Sequence, residues 1–236
     1  MLDPNAIKRM DHLPIELQNK TLMALESSKS TTFNGRDLFD LIQGTPLQSF
    51  ASHGYSHMRF SYPGVTSEVV DRELKLCSNI WSDNDLSTEV FIFPQNHEGF
   101  FDQLHHNGIK KVRGAEYGNT NRSLVKRVVS KVIMPPPLSK DSKINNVELS
   151  TGSLFYNAPL GSKAYAYLLN LQFSRGLKQA CRQGGVFHLY NHPFNLSESP
   201  DLFSSYCNML KNIARKRDSG KLEIISFSDM NNFSKE

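Results

Sequence analysis

Apolar positions along the chain recur with two alternating periods, one helical and one of strands. Pro14 to Ser27, "PIELQNKTLMALES", has helical spacing, and the "TTF" at Thr31–Phe33 reads as a short strand. "LQSFASHG", Leu47 to Gly54, is a strand running into a loop. Thr66 or Ser67 caps a helix through "SEVVDRELKLCSNIW", where Val70, Leu74, Cys77 and Trp81 fall on one face. "EVFIFP" is a buried strand ended by Pro94, "EGFFDQLHHNG" a helix stopped by Gly108, and "IKKVRG" the following strand. Asn119 to Asn146, with its "MPPPLSK", has the least regular pattern and reads as a surface excursion. "GSLFYNA" is then strand-like, Ser162 opens a long helix ending at Gly184–Gly185, and "VFHLYNH" is a strand. Ser199–Pro200 supplies an N-cap and a first-turn proline for a helix that stops near Gly220, and "KLEIISF" closes the series as a strand.

Repeated strand-then-helix units imply a mainly parallel sheet with helical crossovers. With no linker or internal repeat, residues 1–236 read as a single domain, a size at which α/β barrels are commonly undivided. In parallel folds, chemistry gathers where strands end. His53 and His57 follow one predicted strand, Pro94–His97 follow another, Arg113 ends a third and His192 a fourth. On a continuous strand His188 and His192 would share a face.

Composition narrows the classes. With 39% apolar and 21% charged residues the chain reads as globular, and no apolar run approaches the ~20 residues of a membrane span. The opening "MLDPNAIKRMDHLP" lacks a secretory apolar stretch, so the expected location is cytoplasmic. The net charge of +4 is modest. Its densest basic run, "KNIARKR", ends a predicted helix, where cations complement the macrodipole, so nucleic acid is not an expected partner. Cys77, Cys181 and Cys207 form neither a disulfide framework nor a CxxC site and read as buried thiols.

Four of the eight histidines form two i, i+4 pairs, His53 with His57 in "SHGYSH" and His188 with His192 in "VFHLYNHPFNL". Neutral imidazole nitrogen is a good zinc, cobalt or nickel ligand, although a bare HxxxH also suits an ordinary turn. Taken in order, "SHGYSH", "FIFPQNH" with "GIKKVRG", and "VFHLYNHPFNL" resemble the polysaccharide deacetylase family over about Thr31 to Asn195. That family removes N-acetyl groups from carbohydrates with a bound metal. The resemblance implies an α/β fold, a distorted and incomplete (β/α) barrel, and a divalent metal, usually zinc, on His53 and His57. It makes His192 the general acid that protonates the departing amine. His188, Gln95, Asn96 and Arg113 would orient substrate, an N-acetylated carbohydrate or glycan.

The sequence departs from the family in three places. The family opens with a strand ending in two adjacent aspartates, one the base and one the third metal ligand; here Asp3 and Asp11 are apart and no first strand is read. Gln95 stands where an arginine usually holds the base, and glutamine lacks its charge and fork. Arg113 stands near the place of a further aspartate. Either the opening unit lies upstream of residue 1 or the chain is a degenerate relative; loosely held metal and little turnover are expected. Two rival readings remain: a carbohydrate-binding or regulatory module with Tyr55, Phe60, Tyr62 and Tyr190 as stacking faces, and hydrolysis of another linear amide.

Overall fold

The computed structural model describes residues 9–27, 36–46, 48–87, 89–116, 134–157, 163–197 and 199–230. Asp3, the "TTF" segment, Ser162 and residues 119–133 of the irregular stretch lie outside them. The fold is mixed α/β, with parallel pairing in both of its sheets. Two compact units are present: Met1–Gly114 with Ser142–Ser150 and Ser226–Ser228, and Ala115–Asp141 with Thr151–Ile225 and Asp229–Glu236. Among the described residues no helix is long and apolar enough to cross a membrane.

The first unit carries α1 (Ile15–Ser27), α2 (Arg36–Gln43) and α3 (Ser67–Ser82). Helix α3 starts where Thr66, in extended backbone, accepts the Val69 N–H on its hydroxyl. It buries the expected Val70, Leu74 and Cys77, and Glu73 with them. Strand β1 (Val90–Ile92) pairs in parallel with β2 (Lys111–Glu116), placing Ile92 opposite Arg113. Helix α4 (Phe101–His106) makes the crossover, ended by Gly108 at φ 82°. The strand expected at Leu47–Gly54 reduces to one parallel bridge: Ser52 donates to Val90 O at 2.9 Å and accepts from Ile92 N at 2.8 Å.

The end of the stretch read as irregular is in fact ordered. Strands β3 (Asp141–Ile144) and β4 (Val147–Gly152) are joined by Asn145–Asn146, both left-handed at φ 45° and 65°. A two-residue hairpin turn requires that conformation, and asparagine tolerates it. The hairpin completes a sheet of order β1-β2-β4-β3. Phe91, Phe93, Leu104, Val112 and Val147 lie in the core, where Phe60 packs 5.5 Å from Phe91 and 5.7 Å from Phe93. The expected strand "KLEIISF" does not form. Instead Phe227 places its ring 5.0 Å from the buried Lys111 Nζ, a cation–π contact in place of ladder hydrogen bonds.

In the second unit β5 (Leu154–Phe155) and β6 (Leu189–Tyr190) pair in parallel, accompanied by α5 (Lys163–Gln183), the short α6 (Pro193–Ser197) and α7 (Pro200–Asp218). Helix α5 ends, as its glycines predict, at Gly184 and Gly185 with φ 70° and 109°. Helix α7 is capped by Ser199 on Leu202 N at 3.3 Å and carries Arg215, Lys216 and Arg217 in its last turn. Tyr156, Leu169, Phe173, Leu202 and Met209 fill the core of this unit. Cys77 is buried as expected, whereas Cys181 and Cys207 are only half-buried. Burial, with the Glu73 charge adding to it, pushes the Cys77 thiol up to about 12.

Gly176 faces Phe187 so closely that a Cβ there would overlap the ring. Alanine ordinarily favours a helix over glycine by ~1 kcal/mol, but overpacking a core costs ~1–3 kcal/mol. Gly176→Ala is therefore expected to destabilise the protein in urea melts, with Phe187→Leu in the same chain recovering part of the loss. A more stable Gly176→Ala single variant would contradict this packing.

Candidate metal centre

Parallel pairing brings the ends of three segments to one edge of the first unit's sheet. Ser52 lies beside β1, β1 beside β2, and all run the same way. His53 therefore leaves the sheet next to Ile92, and its Nδ1 lies 2.7 Å from Ile92 O. A carbonyl oxygen only accepts, so Nδ1 carries the proton and Nε2 presents its lone pair. This backbone contact is the usual device that fixes the tautomer of a metal-binding histidine.

His57 returns toward it through a tight turn. Gly54 has φ 85° and His57 itself φ 59°, a left-handed value that non-glycine residues seldom adopt. The two Nε2 atoms stand 3.1 Å apart, with ring centroids at 4.7 Å and planes at 73°. Without metal, His57 Nε2–H donates to His53 Nε2. With Zn–N bonds of ~2.0–2.1 Å, adjacent ligands of a tetrahedral or octahedral ion stand about 2.9–3.4 Å apart. The pair thus fits two neighbouring coordination positions. Among the described residues no group of three or more His, Cys, Asp or Glu side chains is placed to hold an ion.

The turn is held from beneath by Glu73, which is fully buried. Its Oε1 accepts the Ser56 backbone N–H at 2.6 Å, and Ser56 Oγ lies 3.0 Å from each carboxylate oxygen. Oε2 accepts from His12 Nε2 at 2.8 Å, while His12 Nδ1 lies 3.1 Å from Arg9 O. Both His12 nitrogens lie within hydrogen-bond reach of an oxygen acceptor. A Cβ on Gly54 would come within 3.1 Å of Glu73 Oε1, so glycine suits the turn sterically as well as by its φ. Sequence reasoning missed Glu73 and His12. The available signal was an acidic residue set between Val70, Leu74 and Cys77, on the buried face of its helix.

Beyond β1 the chain makes a 3₁₀ turn over Pro94–Asn96, with Gln95 and Asn96 left-handed at φ 53° and 59°. Arg113, buried on β2, donates from Nη2 to Asn96 Oδ1 at 3.0 Å, joining two of the expected orienting residues across neighbouring strand ends. Gln95 is exposed. Ser61 Oγ and His97 Nδ1 lie 2.7 Å apart in the same unit.

His188 and His192 belong to the second unit. The strand expected to carry both is only Leu189–Tyr190, so the shared strand face does not arise. It ends early because Pro193 opens α6 and supplies no ladder N–H. His192 is exposed and stacks on Phe194 at 5.3 Å and 9°, with its edge to Phe155 at 5.2 Å. His188 is half-buried, its ring 6.0 Å from Tyr190. Of the proposed sugar-stacking faces, Tyr55 and Phe60 are buried core residues. Tyr62 is occupied at its hydroxyl by Glu16 at 3.2 Å, and Tyr190 stacks on Phe155 at 5.1 Å.

No family model, curated protein or solved structure matches the chain.

The geometry sets a spectroscopic expectation. In metal-free protein, imidazole nitrogen-15 spectra should show His53 protonated at Nδ1 and His57 at Nε2. Zinc should move the His57 proton to Nδ1 and shift both Nε2 signals together; unchanged signals at millimolar zinc would contradict the paired-ligand geometry.

Proposed function

We propose that the chain is a metal-dependent hydrolase of non-peptide carbon–nitrogen amide bonds, acting on an N-acetylated carbohydrate through an incomplete deacetylase-type (β/α) barrel. The observation that carries this reading is the convergence of His53 and His57 on one point through their Nε2 atoms, 3.1 Å apart, with the His53 tautomer fixed by Ile92 O. The motif order "SHGYSH", "FIFPQNH", "VFHLYNHPFNL" gives the substrate class.

A divalent ion bound there would polarise the acetyl carbonyl and lower the pKa of a water. The chain's own residues supply the rest. His53 and His57 fix the ion's place. Arg113, braced on Asn96, holds the loop after β1 in shape beside the strand end. The resemblance gives His192, in the second unit, the part of general acid, and within that unit its stacking between Phe155 and Phe194 limits how the ring can turn. With two histidines as the assigned ligands, binding is weak and turnover slow.

Zinc or cobalt titration by calorimetry, paired with acetate release from N-acetylglucosamine oligomers, tests the reading. His53→Ala or His57→Ala should each abolish measurable binding and release together. Metal-loaded wild-type protein that releases no acetate from any N-acetylated glycan or small amide would refute the hydrolase assignment.

A further inference from the structure

We infer that Glu73 is the positioning residue of the histidine pair, holding His57 against His53 through Ser56, with His12 as the hydrogen-bond donor on its other side. The inference rests on the metal-binding reading above and adds a regulator of that same site: the segment carrying His12.

Three observations converge. The first is where Glu73 spends its acceptors. A buried carboxylate needs several donors, and the backbone N–H and hydroxyl of Ser56, the residue immediately before His57, provide two of them. The second is the conformation those bonds enforce. His57 sits at φ 59°, which is unfavourable for an L side chain and persists only where its surroundings over-determine it. Glu73 supplies that determination on one side, and Gly54, whose missing Cβ lets the carboxylate approach, permits it on the other. The third is His12. Together with the buried Met10 and Leu13 it ties the segment before α1 to the same carboxylate. Release of that segment would take the His12 donor from Glu73 Oε2, leaving Ser56 as its partner, and loosen the turn that aims His57. Metal affinity is therefore coupled to docking of residues 9–13, without contact between that segment and the ion.

The role differs from plain core stability, because it places a ring rather than filling a space. Outer partners that orient ligands are typically worth 10–100-fold in metal affinity. The test uses the full chain as wild type, Glu73→Gln, Ser56→Ala and His12→Gln, each checked for folding by circular dichroism and thermal melting. Cobalt(II) affinity is read from the d–d absorbance, and the His53–His57 contact from imidazole nitrogen-15 spectra of metal-free protein. Glu73→Gln keeps the shape and one acceptor but turns an amide NH₂ toward a donor; it should bind cobalt about tenfold more weakly and blur the His57 signal. Ser56→Ala, a substitution at a half-buried turn position, should shift both readouts the same way by less. His12→Gln should weaken cobalt binding while contacting no ligand.

Folded Glu73→Gln and Ser56→Ala proteins that keep wild-type cobalt affinity and an unchanged His57 signal would overturn the inference and leave the metal reading standing. If wild type takes up no cobalt, the metal reading fails instead. The metal-free spectra then decide: loss of the His53–His57 contact in Glu73→Gln supports the positioning role, and its persistence overturns it.

Discussion

A carboxylate with no access to water must find all its hydrogen bonds inside the protein, and Glu73 finds them in two segments distant in the chain. One is the turn through Ser56; the other is the stretch before α1, through His12. Leaving a buried acceptor without its donor typically costs ~1–3 kcal/mol, against a whole-domain stability of ~5–15 kcal/mol. By contrast Arg72 with Asp11 and Lys110 with Glu89 are exposed pairs, a class worth ~0–1 kcal/mol. One interaction therefore outweighs the surface charges in fixing this part of the first unit.

The second constraint is the parallel sheet. Because Ser52, β1 and β2 run together, the residues that follow each emerge at a common edge, and a backbone carbonyl of one segment can orient the imidazole of the next. Arg113 and Asn96 repeat the theme one strand further on, with a side-chain donor and acceptor across the same edge. Sheet pairing places the histidine pair near one strand end, and Glu73 shapes the turn that completes it.

Much of this was legible in the sequence where a single residue type carries the signal. Thr66, Ser199, Pro200, Gly108 and Gly184–Gly185 mark helix boundaries correctly, because capping and left-handed turns depend on local chemistry. Strands were read less well. Among the described residues "LQSFASHG" keeps only Ser52 in strand pairing and "KLEIISF" forms no strand, because a strand is defined by its neighbours rather than by its own pattern. The β3–β4 hairpin was hidden by the proline-rich run before it, although Asn145–Asn146 carried the turn signal. His53 and His57 were found by spacing. Glu73 and His12, 61 residues apart, were not, since their meeting is a tertiary event and only the misplaced charge in a helical stripe hints at it.

The central claim is that the two Nε2 atoms share one ion. Crystals of the protein grown with equimolar zinc, measured on both sides of the zinc absorption edge, test it directly. The account predicts one anomalous peak about 2.0–2.1 Å from Nε2 of both His53 and His57. A peak bound to other residues, or none at full zinc occupancy of the crystal solution, would contradict it.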